Sequence, residues 1–399
     1  MNRVMIVGAS AGGLATAEAL RRMGYEGAIT LVGDEPCLPY DRPPLSKQIL
    51  TGQWEPDRLA LREQVEIDAL GLDLRLGVAA TGLDAAGRTV ELADGSHVEY
   101  EGLVVATGVR PRHLPNCEGI AGVHTLRTLA DALALKARLL PGRRLVIVGA
   151  GFVGAEVAAV ARGLGVKVTM LEAASVPLAA AIGEQAGLFL AQAHHERGVQ
   201  LRTGVSVAAI VSAAGVVKGV KLADGTMIAA DAVLVAIGSL PNTEWLDSSG
   251  LTVTNGVVCD EYSAAAPGVY GVGDVARWHN PLFDTAMRIE HRTNAAEHGM
   301  AVARNLLNPD QRRPFAPVPY FWSDQYEMKI QAYGHLRDHD EATLADGDPA
   351  QGRFVIAYRT GTRLAGALAV GMPPKTLRTW RALIAAGSTW DAAMTGAAA

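Results

Sequence analysis

Two glycine-rich hexapeptides carry the clearest chemical signal in the chain. Gly8-Ala9-Ser10-Ala11-Gly12-Gly13 follows the apolar run Val4–Val7, and Gly149-Ala150-Gly151-Phe152-Val153-Gly154 follows Leu145–Val148. Glycines at this spacing allow a tight turn whose backbone can approach a pyrophosphate, which then rests on free N–H groups at a helix N-terminus. Each copy has an acidic residue at the end of the next strand: Asp34, with Glu35 beside it, lies 26 residues after Gly8, and Glu172 lies 23 after Gly149. Carboxylates there accept hydrogen bonds from ribose hydroxyls. A single glycine turn can also be a helix-packing device without a ligand. Ser10, standing where the second glycine would be, makes that reading fit the first copy better. Two copies in the same strand–turn–helix context predict two dinucleotide sites.

The elements that must hold these turns repeat as well. Arg3 to Val7 reads as a buried strand, Ala11 to Met23 as a helix ended by Gly24, and Ile29–Val32 as a second strand. Arg144–Val148, a helix from about Ala155 to Arg162, Gly165 and Val166–Leu171 repeat the order 141 residues later. The strand ends Ala106-Thr107-Gly108 and Ile237-Gly238 close the two units, each followed by a proline, Pro111 or Pro241. Beyond them a strand over Gly268–Val272 meets Gly273-Asp274, and a helix is predicted from Thr293 to Leu307. Pro309, Pro314, Pro317 and Pro319 read as a linker into a last domain. There Phe354–Tyr358 and Leu364–Val370 are predicted strands, Leu377–Ala386 a helix, and the Ala-rich stretch after Trp390 a frayed tail.

Composition narrows the function classes. Lys plus Arg total 36 against 41 Asp plus Glu, a net charge of −5, so no nucleic-acid partner is expected. Cys37, Cys117 and Cys259 lie far apart with no Cys-x-x-Cys, which excludes a disulfide framework, a zinc ribbon and a dithiol redox centre. The first strand begins almost at Met1, and the longest apolar stretch, Leu145 to Ala161, is broken by glycines and Glu156. The expectation is therefore a cytoplasmic protein with no signal peptide and no membrane span. Two dinucleotides in one chain imply FAD and a nicotinamide cofactor. Hydride passes between their rings when these stack at about 3–3.5 Å.

Further strings give the pattern a family likeness. The first turn, Tyr40-Asp41-Arg42-Pro43-Pro44-Leu45-Ser46-Lys47, Ala106-Thr107-Gly108, Leu126-Arg127-Thr128-Leu129, Gly271-Val272-Gly273-Asp274 and Tyr320-Phe321-Trp322-Ser323-Asp324-Gln325 occur in that order. Over essentially the whole chain they resemble the flavin-dependent ferredoxin reductases of the putidaredoxin reductase and biphenyl-dioxygenase ferredoxin reductase type. The resemblance implies an α/β fold with two Rossmann-like dinucleotide-binding domains, glutathione-reductase-like, and a smaller α+β C-terminal domain. Residues 1–109 and 242–315 would bind FAD, 110–241 NAD, and 316–399 would form an interface domain.

By the same resemblance FAD contacts fall on Gly12, Asp34, Arg42, Lys47, Ala80, Arg127 and Asp274. Gly8, Ser10, Ala11, Gly13, Glu35, Ala106, Thr107, Gly108, Arg292 and Trp322 complete the expected FAD set. Gly149, Gly151, Phe152, Val153, Gly154, Glu156, Glu172, Ile237 and Gly238 form the NAD set. Arg42 and Arg127 would offset pyrophosphate charge, and Asp274 would accept from the ribityl chain. Lys47, paired with Glu156, is the expected catalytic cation beside flavin N5, stabilising negative charge on reduced flavin. The plainer alternatives are solvated loop charges for Arg42 and Lys47 and a helix-surface carboxylate for Glu156. Arg292 departs from the aromatic or aliphatic residue usual at its position. Its guanidinium raises the flavin potential if it faces the ring and changes little if only its backbone does.

The implied activity is NADH-dependent reduction of a [2Fe-2S] ferredoxin that supplies a haem-thiolate monooxygenase or a Rieske dioxygenase, by a monomer or weak dimer. The alternatives are a rubredoxin reductase and an NADH-binding redox sensor resembling apoptosis-inducing factor. No metal site is expected. His335 and His339, at i, i+4 spacing, read as part of a polar turn, His194-His195 as an exposed helix end, and Cys117 and Cys259 as packing residues. Residues 353–381 carry Arg353, Arg359, Arg363, Lys375, Arg378 and Arg381 without an acidic residue, a stretch suited to an acidic protein partner.

Overall fold

The computed structural model describes residues 1–397 and divides into two compact units. The first comprises residues 1–41, 59–110 and 240–319, and the second 42–58, 111–239 and 320–399. No helix among the described residues is long and apolar enough to cross a membrane.

In the first unit a six-stranded sheet runs Ala264–Ala266, Val269–Gly271, Gly102–Val105, Arg3–Val7, Ala28–Gly33, Asp73–Leu76. All neighbours after the first pair are parallel. Its inner strands, Val269–Gly271, Gly102–Val105, Arg3–Val7 and Ala28–Gly33, are near-continuous apolar runs, as burial on both faces requires, while the edge strand Asp73–Leu76 is half polar. The helix Ala11–Arg22 packs closely on the helix Arg292–Leu307. A Cβ added at Gly299 would lie 2.6 Å from the Gly12 carbonyl, so glycine sets that approach. His298, on the same helix, is fully buried. Its Nδ1 accepts from the Gly273 N–H at 3.2 Å and its Nε2 donates to Ser263 Oγ at 2.7 Å.

The second unit contains a parallel sheet in the order Gln200–Arg202, Lys167–Leu171, Arg144–Val148, Ala232–Val235, Val123–His124. A separate antiparallel sheet runs Tyr320–Gln325, Met328–Gly334, Arg363–Val370, Arg353–Thr360, Glu341–Asp348. Three of these five strands, over 320–325, 328–334 and 341–348, went unread in the sequence. Tyr320–Gln325 and Glu341–Asp348 lack a plain apolar alternation, the former turning Ser323 and Gln325 inward, whereas Met328–Gly334 does alternate, burying Met328, Ile330 and Ala332. The helix over Pro374–Ala385 buries Leu377, Trp380 and Ile384.

Two expectations fail here. The stretch from Trp390 is a helix to Ala397, not a frayed tail, and Trp390 N–H bonds the Thr362 carbonyl at 2.8 Å. Ala398 and Ala399 lie outside the described residues. His194 is buried, not an exposed helix end, because the helix Ala179–Glu196 turns it onto the strand Tyr320–Gln325.

Burial holds both histidines neutral, His194 at about 4 and His298 at about 3. Their folded values lie below the ordinary one, so their contribution is complete above about pH 6.5 and is lost as pH falls towards 4 and 3. Linkage predicts a loss of roughly 2 kcal/mol from each at about pH 5. Equilibrium denaturation at about pH 7.5 and 5 should show a fall of that order, and equal stability at both would contradict neutral burial.

Candidate functional site

Both glycine turns are built to one plan. The Gly8 N–H bonds the Val32 carbonyl at 2.7 Å, and the Gly149 N–H bonds that of Leu171 at 2.8 Å. Gly8 has φ +119° and Gly149 φ +101°. A Cβ at these positions would sit 2.1 Å from Ala106 O and 2.3 Å from Ala236 O, which places Ala106-Thr107-Gly108 and Ile237-Gly238 beside their respective turns. Gly13 and Gly154, the last glycines, would collide with the carbonyls of Gly8 and Gly149 at 1.9 and 2.3 Å. Close helix–strand packing therefore dictates these four glycines.

Gly151 is different. A Cβ there would meet nothing within 4 Å, so packing inside the protein does not demand glycine. Open space at the N-cap of the helix Phe152–Gly163 is what close approach of a pyrophosphate needs. The turn thus fits a dinucleotide. Phe152 and Val153, expected in the turn itself, begin the helix. In the first turn Ser10 occupies the equivalent N-cap, with Ala11 opening the helix, and Gly12 is fixed by a Val272 side chain that a Cβ would approach to 2.8 Å.

The acidic residues diverge. Glu172 accepts from the N–H of Ala150 at 2.8 Å and of Ala174 at 2.9 Å, so its carboxylate is tied into the second turn. Asp34 is exposed after its strand, while Glu35 accepts from Tyr40 Oη at 2.6 Å. Elsewhere in the first unit Ala80 opens the strand to Asp84, and Thr107 and Asn242 exchange hydrogen bonds at 2.7 and 2.9 Å that hold the turn at Gly108. The Asp274 carbonyl accepts from Arg288 at 3.0 Å. Arg292, the first residue of its helix, is ion-paired with Asp41, a partner its position in the sequence did not reveal.

The second unit gathers the other expected residues. Residues 43–46 form a 3₁₀ turn that starts with two prolines, and Lys47 leaves it. Lys47 Nζ lies 2.7 Å from Glu156 Oε2, with the two side chains only 12% and 7% exposed. Ser46 donates to the same oxygen, and Ser323 donates to Oε1 at 2.7 Å. Glu156 is therefore no surface carboxylate. It is a buried anion near a helix N-terminus, satisfied by a cation and two hydroxyls. Arg42 Nη1 donates to the Arg127 carbonyl at 2.8 Å, which joins two of the expected phosphate-side cations. Trp322, part-buried, stacks on Tyr320 at 5.9 Å between ring centroids.

Sequence reasoning missed Ser46 and Ser323 as Glu156 partners, and with them Gln325 and His194. The only signal for the serines was their place inside the Arg-Pro-Pro-Leu-Ser-Lys and Trp-Ser-Asp-Gln strings. Cys117 and Cys259 are buried, the latter with its thiol pushed up to about 12 by burial, as packing residues would be. His339 bonds the Leu336 carbonyl at 2.7 Å, and no group of three or more potential metal ligands occurs among the described residues.

The second turn carries a direct test. A carboxylate fixed at Glu172, followed by Ala173-Ala174-Ser175-Val176-Pro177 without a cation, repels a 2′-phosphate. Repulsion of about 4 kcal/mol per unit pair at 4 Å, before screening, predicts at least about tenfold preference for NADH over NADPH in kcat/KM. Equal values for the two cofactors would contradict the role given to Glu172.

Comparison with known proteins agrees with this geometry. Residues 2–299 match the family model described as pyridine nucleotide-disulphide oxidoreductase, and residues 320–398 match that described as reductase C-terminal. The chain is 39% identical to a probable ferredoxin reductase, CtmF, of Castellaniella defragrans, over 93% of this chain and 91% of that one. It is 38% identical to the ferredoxin–NAD(+) reductase component of an anthranilate 1,2-dioxygenase system from Burkholderia cepacia, over 97% and 95%. Among solved structures, a covalent putidaredoxin reductase–putidaredoxin complex matches with a TM-score of 0.92 and 35% identity, over 97% of this chain and 93% of that one. With FAD and NAD(H) as the cofactors the family implies, the chain belongs to the pyridine nucleotide-disulphide oxidoreductases.

Proposed function

We propose that this protein is an NADH-dependent, FAD-containing reductase that delivers electrons one at a time to a small [2Fe-2S] ferredoxin, which supplies a haem-thiolate monooxygenase or a Rieske dioxygenase. The observation that carries the reading is the Lys47–Glu156 pair, satisfied by Ser46 and Ser323, whose glutamate lies on the helix that follows the second glycine turn. Bound FAD supplies the conversion from a hydride to single electrons. The chain's own part is to fix charge and geometry. Lys47 offers a cation to negative charge that develops on reduction, while Glu156 keeps the ammonium in place without exposing it to water. Glu172 receives the nicotinamide cofactor's ribose, and the N–H groups at Gly151 receive its pyrophosphate. Arg42 and Arg127 offset the charge of the other pyrophosphate, with Asp34 and Asp274 accepting from hydroxyls.

In this reading residues 1–109 with 242–315 bind FAD, 110–241 bind NAD, and 316–399 form the interface domain of a cytoplasmic monomer or weak dimer. The names of the relatives support the ferredoxin as acceptor. Steady NADH turnover with a [2Fe-2S] ferredoxin is the deciding assay. A reduced enzyme that persists in a long-lived complex with NAD+ would instead favour a redox sensor, and preference for rubredoxin would favour a rubredoxin reductase.

Lys47→Met should slow flavin reduction at saturating NADH by at least about tenfold with little change in NADH binding, since the lost cation acts only as charge develops. An unchanged stopped-flow rate would show that Lys47 does not serve the chemical step.

The acceptor surface has its own test. Arg359 is ion-paired to Glu341 at 2.9 Å, whereas Lys375, Arg378 and Arg381 are exposed along one helix. Changing these three to Glu should raise the KM for ferredoxin strongly at low salt and flatten its salt dependence, with ferricyanide reduction almost unaffected. Ferredoxin kinetics that survive intact would move the docking surface elsewhere.

A further inference from the structure

Glu156 is the end of a longer chain of buried groups. Ser323 donates to Glu156 Oε1 at 2.7 Å, and Gln325 Nε2 lies 3.2 Å from Ser323 Oγ. Gln325 Oε1 lies 3.1 Å from His194 Nε2, and His194 Nδ1 lies 2.8 Å from Tyr326 Oη. Ser323, Gln325 and His194 are buried, the first two completely. At the outer end the Arg197 guanidinium stacks over the Tyr326 ring at 4.7 Å and is ion-paired with Glu327.

The direction of every link follows from one charge. An ionised carboxylate can only accept, so the single Ser323 hydrogen points to Glu156. Ser323 Oγ must then accept, which requires the amide of Gln325 to turn its NH₂ towards it and its oxygen towards His194. That oxygen needs a donor, so His194 carries its proton on Nε2, and its bare Nδ1 accepts from the Tyr326 hydroxyl. Four hydrogen bonds are therefore polarised in one sense, towards the anion that faces Lys47.

We propose that Tyr326, His194, Gln325 and Ser323 are positioning residues: a directional chain, its polarity set by Glu156, that holds the carboxylate against Lys47. The purpose of the pair rests on the function proposed above; the chain itself rests on the geometry alone. Packing two polar side chains and an imidazole against a carboxylate is costly unless they are hydrogen-bonded, and here the Ser323 hydroxyl, both ends of the Gln325 amide and both His194 ring nitrogens each have a partner. A plain apolar lining would bury Glu156 without defining which rotamer meets Lys47.

The tautomer of His194 reads the chain's polarity without an activity assay. Holoenzyme labelled with 15N-histidine, with the His194 signals assigned by their loss in His194→Gln, should show a neutral ring protonated on Nε2. Glu156→Gln should reverse it. The Lys47 ammonium will hold the new amide's oxygen, so its NH₂ faces Ser323, whose hydrogen then turns to Gln325. That amide flips, and the His194 proton moves to Nδ1. A wild-type ring protonated on Nδ1, or an unchanged tautomer in Glu156→Gln, would overturn the proposal.

The positioning role has a second arm. Ser323→Ala should slow flavin reduction at saturating NADH by about tenfold, the cost of one charge-assisted hydrogen bond, and Ser323→Thr should restore it to within about twofold. Wild-type speed in Ser323→Ala, when Lys47→Met is slow, overturns the positioning role. If Lys47→Met is itself as fast as wild type, the function of the pair fails, and the tautomer experiment still decides the chain.

Discussion

A lysine and a glutamate that share a mostly dry site impose conditions on everything around them. Removing either charge from water costs several kcal/mol, and the mutual attraction of Lys47 and Glu156 offsets that only if the remaining lone pairs are also satisfied. The structure meets this with groups from four parts of the sequence. Residues 43–47 supply the cation and Ser46, the helix Phe152–Gly163 supplies the carboxylate, and the strand Tyr320–Gln325 supplies Ser323 and Gln325. The helix Ala179–Glu196 adds His194. Apolar packing of Ile182, Ala186 and Leu190 against Met328, Ile330, Phe354 and Leu368 joins residues 320–399 to 111–239 in one compact unit, and the saturated carboxylate sits among these same segments.

The two glycine turns illustrate how the same motif divides its labour. At the first and last glycines of each copy an added methyl would strike backbone within about 2 Å, a packing demand independent of any ligand. Only Gly151 faces open space, and only there does a ligand explain the residue. Ser10 at the equivalent point shows that the first copy tolerates a side chain there. The acidic residues follow the same division, Glu172 bound into its turn and Asp34 standing free of the backbone bonds that hold Glu172.

What could be read in the sequence was what neighbouring residues dictate. The glycine turns, their flanking strands and the acidic strand ends depend on spacings of under thirty residues, and all of these elements are present. The helix Pro374–Ala385 was legible from its apolar spacing. Of the C-terminal strands, the apolar runs Phe354–Tyr358 and Leu364–Val370 were legible, but Tyr320–Gln325 was not because it buries serine and glutamine, nor Glu341–Asp348 because it is acidic at an exposed edge. The helix from Trp390 was hidden by alanines that also suit a loose tail. His194 and Gln325 are 131 residues apart, and nothing local marks either as buried or as the other's partner. The pairing of Arg292 with Asp41, 251 residues away, was illegible for the same reason.

In the proposed mechanism Lys47 and Glu156 act as one unit. A double-mutant cycle on the rate of flavin reduction at saturating NADH tests it most directly, using Lys47→Met, Glu156→Gln and the two combined. If the glutamate works only through the ammonium it holds, the double variant will be no slower than Lys47→Met alone. Losses that multiply, so that the double variant is slower by the product of the two single effects, would contradict the account.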